Sequence, residues 1–233
     1  MTVFYRNNLL TKVALSCVIA CTTSFSYADN DEWEQHLRAQ LGEAELLGHE
    51  LYSFTQTVVS TDDTKVSTFD PLQTPKWRLV QIDGREPSDK EKSKFEKQQL
   101  KEAERREDEQ FEDLIKPNSV HVVSENYDQI LVEFTPYLKD MADKAEEYMR
   151  GEAVFSAADK MLVQLRIYSI EPFAPSIAVK IEQMAMTFNF ASKQGQTLPS
   201  NYLFSFQGKL AAMKKFDVDS TITYSDYQRV VTN

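Results

Sequence analysis

The sequence predicts an α+β domain. It consists of one large curved antiparallel sheet, a half-barrel, with helices packed on one face and a long charged helical insertion. Three observations carry this. Period-two alternation of apolar and polar residues recurs along most of the chain, in runs separated by short turn signals. Helical patterning is concentrated towards the N-terminal side. The first 28 residues have the layout of an export leader, so the domain spans 29–233.

In the leader, Arg6 and Lys12 precede an apolar run, Val13 to Ala20, and small residues lead to Ser26-Tyr27-Ala28. A charged start, a short apolar core and small residues at −3 and −1 form a bacterial-type secretory signal, here cleaved after Ala28. The run is shorter than the ~20 apolar residues that span a bilayer. Val18-Ile19-Ala20-Cys21 offers a second exit, because a small residue before a cysteine is the pattern of an acylated N-terminus. Processing after Ala28 gives a diffusible periplasmic protein, and an acylated Cys21 gives a membrane-anchored one. The chain has two cysteines, Cys17 and Cys21, both in the leader. The form cleaved after Ala28 therefore has no disulfide and no thiol chemistry, and it relies on its core.

From Asn30 to Glu50 a helix is expected, with Trp33, Leu37, Leu41 and Leu47 near helical spacing. Tyr52 to Val58 alternates as a half-buried strand. Ser60 to Thr64 turns the chain, and Lys65 to Phe69 returns antiparallel. Lys76 to Ile82 is a further strand, closed by Asp83-Gly84. Ser88-Asp-Lys-Glu91 is a capping box that opens the charged helix, read to about Ile115 and stopped by Pro117. The insertion thus spans 88–117. Its apolar stripe, Phe95, Leu100, Ala103, Phe111 and Leu114, is thin; it reads either as a solvated helix or as a partner-binding arm. Strand patterning resumes at Val120 to Val123 and Gln129 to Thr135. A helix is expected over Tyr137 to Met149, ended by Gly151. Strands follow at Glu152 to Ala157, Met161 to Ser169, Val179 to Phe190, Tyr202 to Gln207, Lys215 to Asp219 and Thr221 to Tyr224.

Two of these strands carry unusually apolar alternate faces. Met184, Met186, Phe188 and Phe190 share one side; Tyr202, Phe204 and Phe206 share one side of the next. A hairpin through Gln194-Gly195 sets them side by side as a Met/aromatic wall. Such a wall packs under helices, or it lines a pocket for acyl chains. Catalytic signals are sparse. His36, His49 and His121 fall on different elements without zinc-ligand spacing, and glycine is too scarce for phosphate-cradling loops. The chain is expected to be no enzyme and to hold no metal or cofactor. The net charge of −10, two units lower once Arg6 and Lys12 leave, excludes a nucleic-acid backbone as partner.

The order and texture of these features resemble the LolA/LolB-like periplasmic lipoprotein-carrier superfamily. The features are a leader, an N-terminal helix, Tyr52-Ser-Phe-Thr-Gln-Thr, Trp77-Arg-Leu, the long strands to Phe190, Leu198-Pro199 and the ending Ile222-Thr-Tyr-Ser-Asp-Tyr227. The resemblance implies a half-open β-barrel that binds a lipid acyl chain or a lipidated protein on its concave face. Arg78 and Arg166 are candidates for that group's inner-face arginine, and the charged helix departs from its compact members. The alternative reading is an envelope interaction protein that docks a partner through the charged helix.

Overall fold

The computed structural model describes residues 27–106, 111–138, 145–210 and 214–230. The leader up to Ser26, with Cys17 and Cys21, lies outside them. Helix α1 is Tyr27–Glu50. Three strands follow, β1 (Tyr52–Ser60), β2 (Thr64–Phe69) and β3 (Trp77–Ile82), and then helix α2 (Asp89–Arg106). The remaining strands are β4 (His121–Glu125), β5 (Gln129–Phe134), β6 (Met149–Ser156), β7 (Leu162–Ser169), β8 (Phe173–Ser176), β9 (Val179–Lys193), β10 (Gln196–Leu210) and β11 (Lys214–Arg229).

All eleven strands join one antiparallel sheet in the order β3-β2-β1-β11-β10-β9-β7-β6-β5-β4, with β8 paired to β9 off this path. The antiparallel sheet is as expected, but the class is not. The fold is a large open sheet with two helices, not an α+β half-barrel with a long helical insertion. The charged helix is described over Asp89–Arg106, 18 residues or ~27 Å; residues 107–110 are not described, and Phe111–Leu114 form a 3-10 turn, so the helix does not run the ~40 Å to Ile115 read from sequence. Ile115, expected in its last turn, is instead buried and bridged to Pro136. In place of a helix up to Met149, a short 3-10 turn covers Ala145–Tyr148 and Met149 opens β6; residues 139–144 are not described. The two short strands read near the C-terminus are one 16-residue strand, β11, because Ser220 continues the ladder to both neighbours.

Turn chemistry sets the central hairpin. Gln194 and Gly195 have φ of 56° and 75°, the mirror-image two-residue turn that matches strand twist, and Lys193 pairs Gln196 across it. Pro199 sits inside β10 because a bulge between Pro199 and Asn201 interrupts the ladder there.

Helix α1 lies across the sheet. Asn30 Oδ1 accepts the Val122 N–H of β4 (3.3 Å), and the Trp33 ring lies 5.0 Å from Phe155 of β6. Further along, Gln40 Oε1 accepts the Leu162 N–H that opens β7 (3.3 Å) and the Thr197 hydroxyl of β10 (2.7 Å). The chain then enters β1. These contacts follow the sheet order. The 24 residues of α1 reach ~36 Å, against ~34 Å for the strand-to-strand steps from β4 to β1. Leu37, Leu41 and Ala44, spaced four and three apart, form its buried stripe.

The capping box at α2 forms as expected. Glu91 accepts from the Ser88 amide (2.8 Å) and hydroxyl (2.7 Å), and the Glu91 N–H reaches Ser88 Oγ at 3.4 Å. Arg85 adds a bidentate pair to Glu91 at 3.0 and 2.6 Å.

Two outcomes follow from these anchors. Gln40→Met leaves the Leu162 N–H and the buried Thr197 hydroxyl without their acceptor, and urea unfolding should show a loss of about 1–3 kcal/mol. Arg85, and then Ser88, hold the Glu91 carboxyl well below the usual carboxylate range. A depressed folded pKa means the cap is at full strength above the unfolded value of about 4.3 and weakens as pH falls through the folded value. Helical Cα shifts of residues 90–92 should therefore fall at a lower pH than an unpaired glutamate would give, and in Glu91→Gln they should be weaker already at neutral pH.

Candidate functional site

Alternation gives the sheet two unlike faces. On one, β9 and β10 bring the wall together in direct register: Met184 opposite Phe206, Met186 opposite Phe204, Phe188 opposite Tyr202, and Phe190 opposite Pro199. The rings of Phe188 and Tyr202 meet edge-on at 4.9 Å, those of Phe188 and Phe204 at 5.7 Å, and those of Phe190 and Tyr202 at 6.2 Å.

The wall divides into two parts. Met184, Phe188, Phe190 and Tyr202 are buried in one cluster with Leu37, Leu41 and Ala44 of α1. Met186, Phe204 and Phe206 are only half-buried. Phe216, Ile222 and Tyr224 of β11 are half-buried beside them, and Val218 stands 46% exposed. Register makes this one strip, since Ile222 faces Tyr202, Val218 faces Phe206, and Phe216 faces Gly208. A Cβ at Gly208 would overlap the Phe216 ring and the Lys180 carbonyl, so the ring lies over bare backbone.

The aromatic face also continues where sequence reading found no site. Tyr202 meets Tyr224 at 5.2 Å, Tyr224 meets Phe54 at 5.6 Å, Phe54 stacks on Phe69 at 5.0 Å, and Phe69 meets Trp77 at 5.0 Å. One row of rings thus crosses β10, β11, β1, β2 and β3. Its sequence signal was the alternation within each strand; the missing knowledge was that β1 pairs with β11. Two tyrosines lock that junction. Tyr52 donates to Gln196 Oε1 (2.7 Å), and Tyr227 donates to the Pro199 carbonyl (2.9 Å). Burial pushes the Tyr227 hydroxyl far above its ordinary pKa, so it stays a donor.

The opposite face is polar. Gln164, Asn189 and Asn201 form a side-chain ladder across β7, β9 and β10 at 2.8 and 2.6 Å. Tyr168 donates to Glu152 at 2.8 Å, which holds its phenol above the usual range, and Arg166 lies over the Tyr168 ring. Both candidate inner-face arginines are here. Arg166 alternates with buried Leu165 and Ile167, and Arg78 alternates with Trp77 and buried Leu79; both are exposed. Neither reaches the aromatic face.

His36 binds the Lys160 carbonyl at 2.8 Å, and His121 faces Glu133 at 3.4 Å; they sit on separate elements. Among the described residues, no group of histidine, cysteine, aspartate and glutamate could hold a metal ion, and no helix is long and apolar enough to cross a membrane. No protein-family model, curated protein or solved structure matches the chain.

The split within the wall has a measurable consequence. Phe188→Ala empties a site in the buried cluster and should cost about 3–5 kcal/mol in urea unfolding. Phe206→Ala removes a half-buried ring and should cost about 1 kcal/mol.

Proposed function

We propose that this is an exported envelope protein that binds an acyl chain, of a lipid or of a lipidated protein, along the half-buried strip of its aromatic face. The observation that carries the reading is the contiguous strip of Met186, Phe204, Phe206, Phe216 and Ile222, apolar and only half-covered, running straight out of the core. Each methylene laid on such a surface gains about 0.8 kcal/mol, so a long chain needs no polar recognition. Methionine and phenylalanine adapt to its irregular shape. The leader pattern and the resemblance to lipoprotein carriers agree with this ligand class. The exposed position of Arg78 and Arg166 separates the chain from that group's inner-face arginine, so acyl binding is assigned here without a carrier's exact role. A second reading, partner docking on α2, draws on Leu100, which is 66% exposed on that charged helix.

The test is purification from a bacterial host without detergent, followed by organic extraction and mass spectrometry. Acyl-bearing lipid should co-purify, and the delipidated protein should take up a fluorescent fatty acid. Phe204→Asp and Phe206→Asp should abolish uptake, while Leu203→Asp on the other face and Leu100→Asp on α2 leave it unchanged. Unaltered uptake in folded Phe204→Asp and Phe206→Asp defeats the proposal. Intact mass in the same experiment should place the mature N-terminus at Asp29; an acylated Cys21 would tether the binder to the membrane instead.

A further inference from the structure

A cleft of about 240 Å³ opens at β1, β2, β3 and β11, lined mainly by polar residues and also by Phe54 and Phe69 of the aromatic row. Its lining follows from register. Arg78 faces Thr68, Thr68 faces Thr55, and Thr55 faces Ser225, giving one row across four strands. Beyond it, Ser53 pairs with Gln228, and the Asp70 N–H donates to the Lys76 carbonyl (2.9 Å) in the loop entering β3. Lys76 and Arg78 both line the cleft, with threonine and serine hydroxyls and the Gln228 amide.

The charges of this cleft are unequally engaged. Among the described residues, neither the Lys76 ammonium nor the Arg78 guanidinium makes a hydrogen bond or an ion pair. Other cations of the same region are paired: Lys65 with Asp63, Arg85 with Glu91, and Lys92 with Glu86. The acids of the cleft are occupied locally. Asp70 accepts from the Leu72 amide (3.0 Å) and the Gln73 side-chain amide (2.7 Å), which ties the loop entering β3. Asp226, at φ 57°, accepts from the Ser225 hydroxyl (3.0 Å). The two carboxylates keep their charge, so the cleft is balanced overall, and what distinguishes it is that the donors of Lys76 and Arg78 are uncommitted while Asp70 and Asp226 already accept hydrogen bonds.

We infer that Lys76 and Arg78 form a binding site for a phosphate group. Arginine supplies a planar fork of donors to phosphate oxygens, lysine a second positive charge, and Thr55 and Thr68 hydroxyl donors. The volume lies below the ~300–1,000 Å³ of drug-sized ligand pockets, so the site takes a headgroup-sized anion. It is on the opposite face from the acyl strip and stands or falls apart from that reading.

Inorganic phosphate titrated to about 20 mM, followed by ¹H–¹⁵N spectra, tests it. The Thr55 and Thr68 amides and the Arg78 Nε–H should shift saturably. Lys76→Gln/Arg78→Gln, both at exposed positions, should weaken binding about tenfold or more, while Lys90→Gln on α2 should not. Shifts that never saturate, or that persist in the double variant, overturn the assignment. Sedimentation with phosphatidylglycerol vesicles then separates the sources. Binding lost in the double variant identifies a lipid headgroup; saturable phosphate binding without vesicle binding identifies a soluble phosphate monoester.

Discussion

An open sheet with one apolar face must have that face covered, and here a single helix crosses it. Helix α1 is ~10 Å wide, whereas the 15-residue strands β9 and β10 extend ~50 Å. A helix laid across such strands shields one band of side chains and leaves the rest. The band is visible in the burial: Phe188, Phe190 and Tyr202 are buried, while Met186, Phe204, Phe206 and Phe216, further along the strands, lie half-open; Met184, beyond Met186, is buried again. The length of α1 is matched to the run of strands from β4 to β1, not to the length of those strands. The half-covered strip is therefore a geometric consequence of the architecture, and the acyl-binding proposal rests on that mismatch.

What fixes the strap is polar as well as apolar. Gln40 presents one carbonyl oxygen to a strand amide and a hydroxyl, from β7 and β10, at a point where Thr197 is fully buried. Arg38 donates to the Ile115 carbonyl at 2.9 Å, drawing the segment before β4 onto the same helix. Every buried side-chain nitrogen and oxygen among the described residues has a partner. In a low-dielectric contact a missing partner costs more than a formed bond gains, so these bonds set the register of α1 on the sheet. Leucine stripes alone slide, whereas a glutamine with two donors at fixed positions does not.

How much of this was readable in the sequence depends on the range of each signal. The Gln194-Gly195 turn and the alternation on either side placed Phe188 opposite Tyr202 and Met186 opposite Phe204, because a two-residue hairpin fixes register locally. The pairing of β1 with β11 joins residues about 175 positions apart, as in Ser53 with Gln228, and no local pattern announces it. The aromatic row through Phe54, Phe69 and Trp77, and the Lys76–Arg78 cleft behind it, depend on that pairing and stayed hidden. The fold class departs from the expected α+β half-barrel because tertiary contacts override helical spacing. Ile115 sits at helical spacing yet bridges to Pro136, and Met149 does so yet pairs with Ser169. The capping box at Ser88 was readable because it closes within four residues.

Strand alternation also explains why the cleft is separate from the strip. Trp77 and Leu79 turn one way and Arg78 the other, and no single-residue change moves an arginine through the sheet. A ligand whose acyl chain lay on Phe204 and Phe206 would have to pass around a sheet edge to place its headgroup on Arg78. The β3 edge is the near one, and α2 packs beside it, held by the Arg85–Glu91–Ser88 cap. The two proposed sites are therefore independent, and one ligand does not bridge them without rounding that edge. The strip sits on β9, β10 and β11 and the cleft on β1, β2 and β3 with the far end of β11, so each can be altered without touching the other.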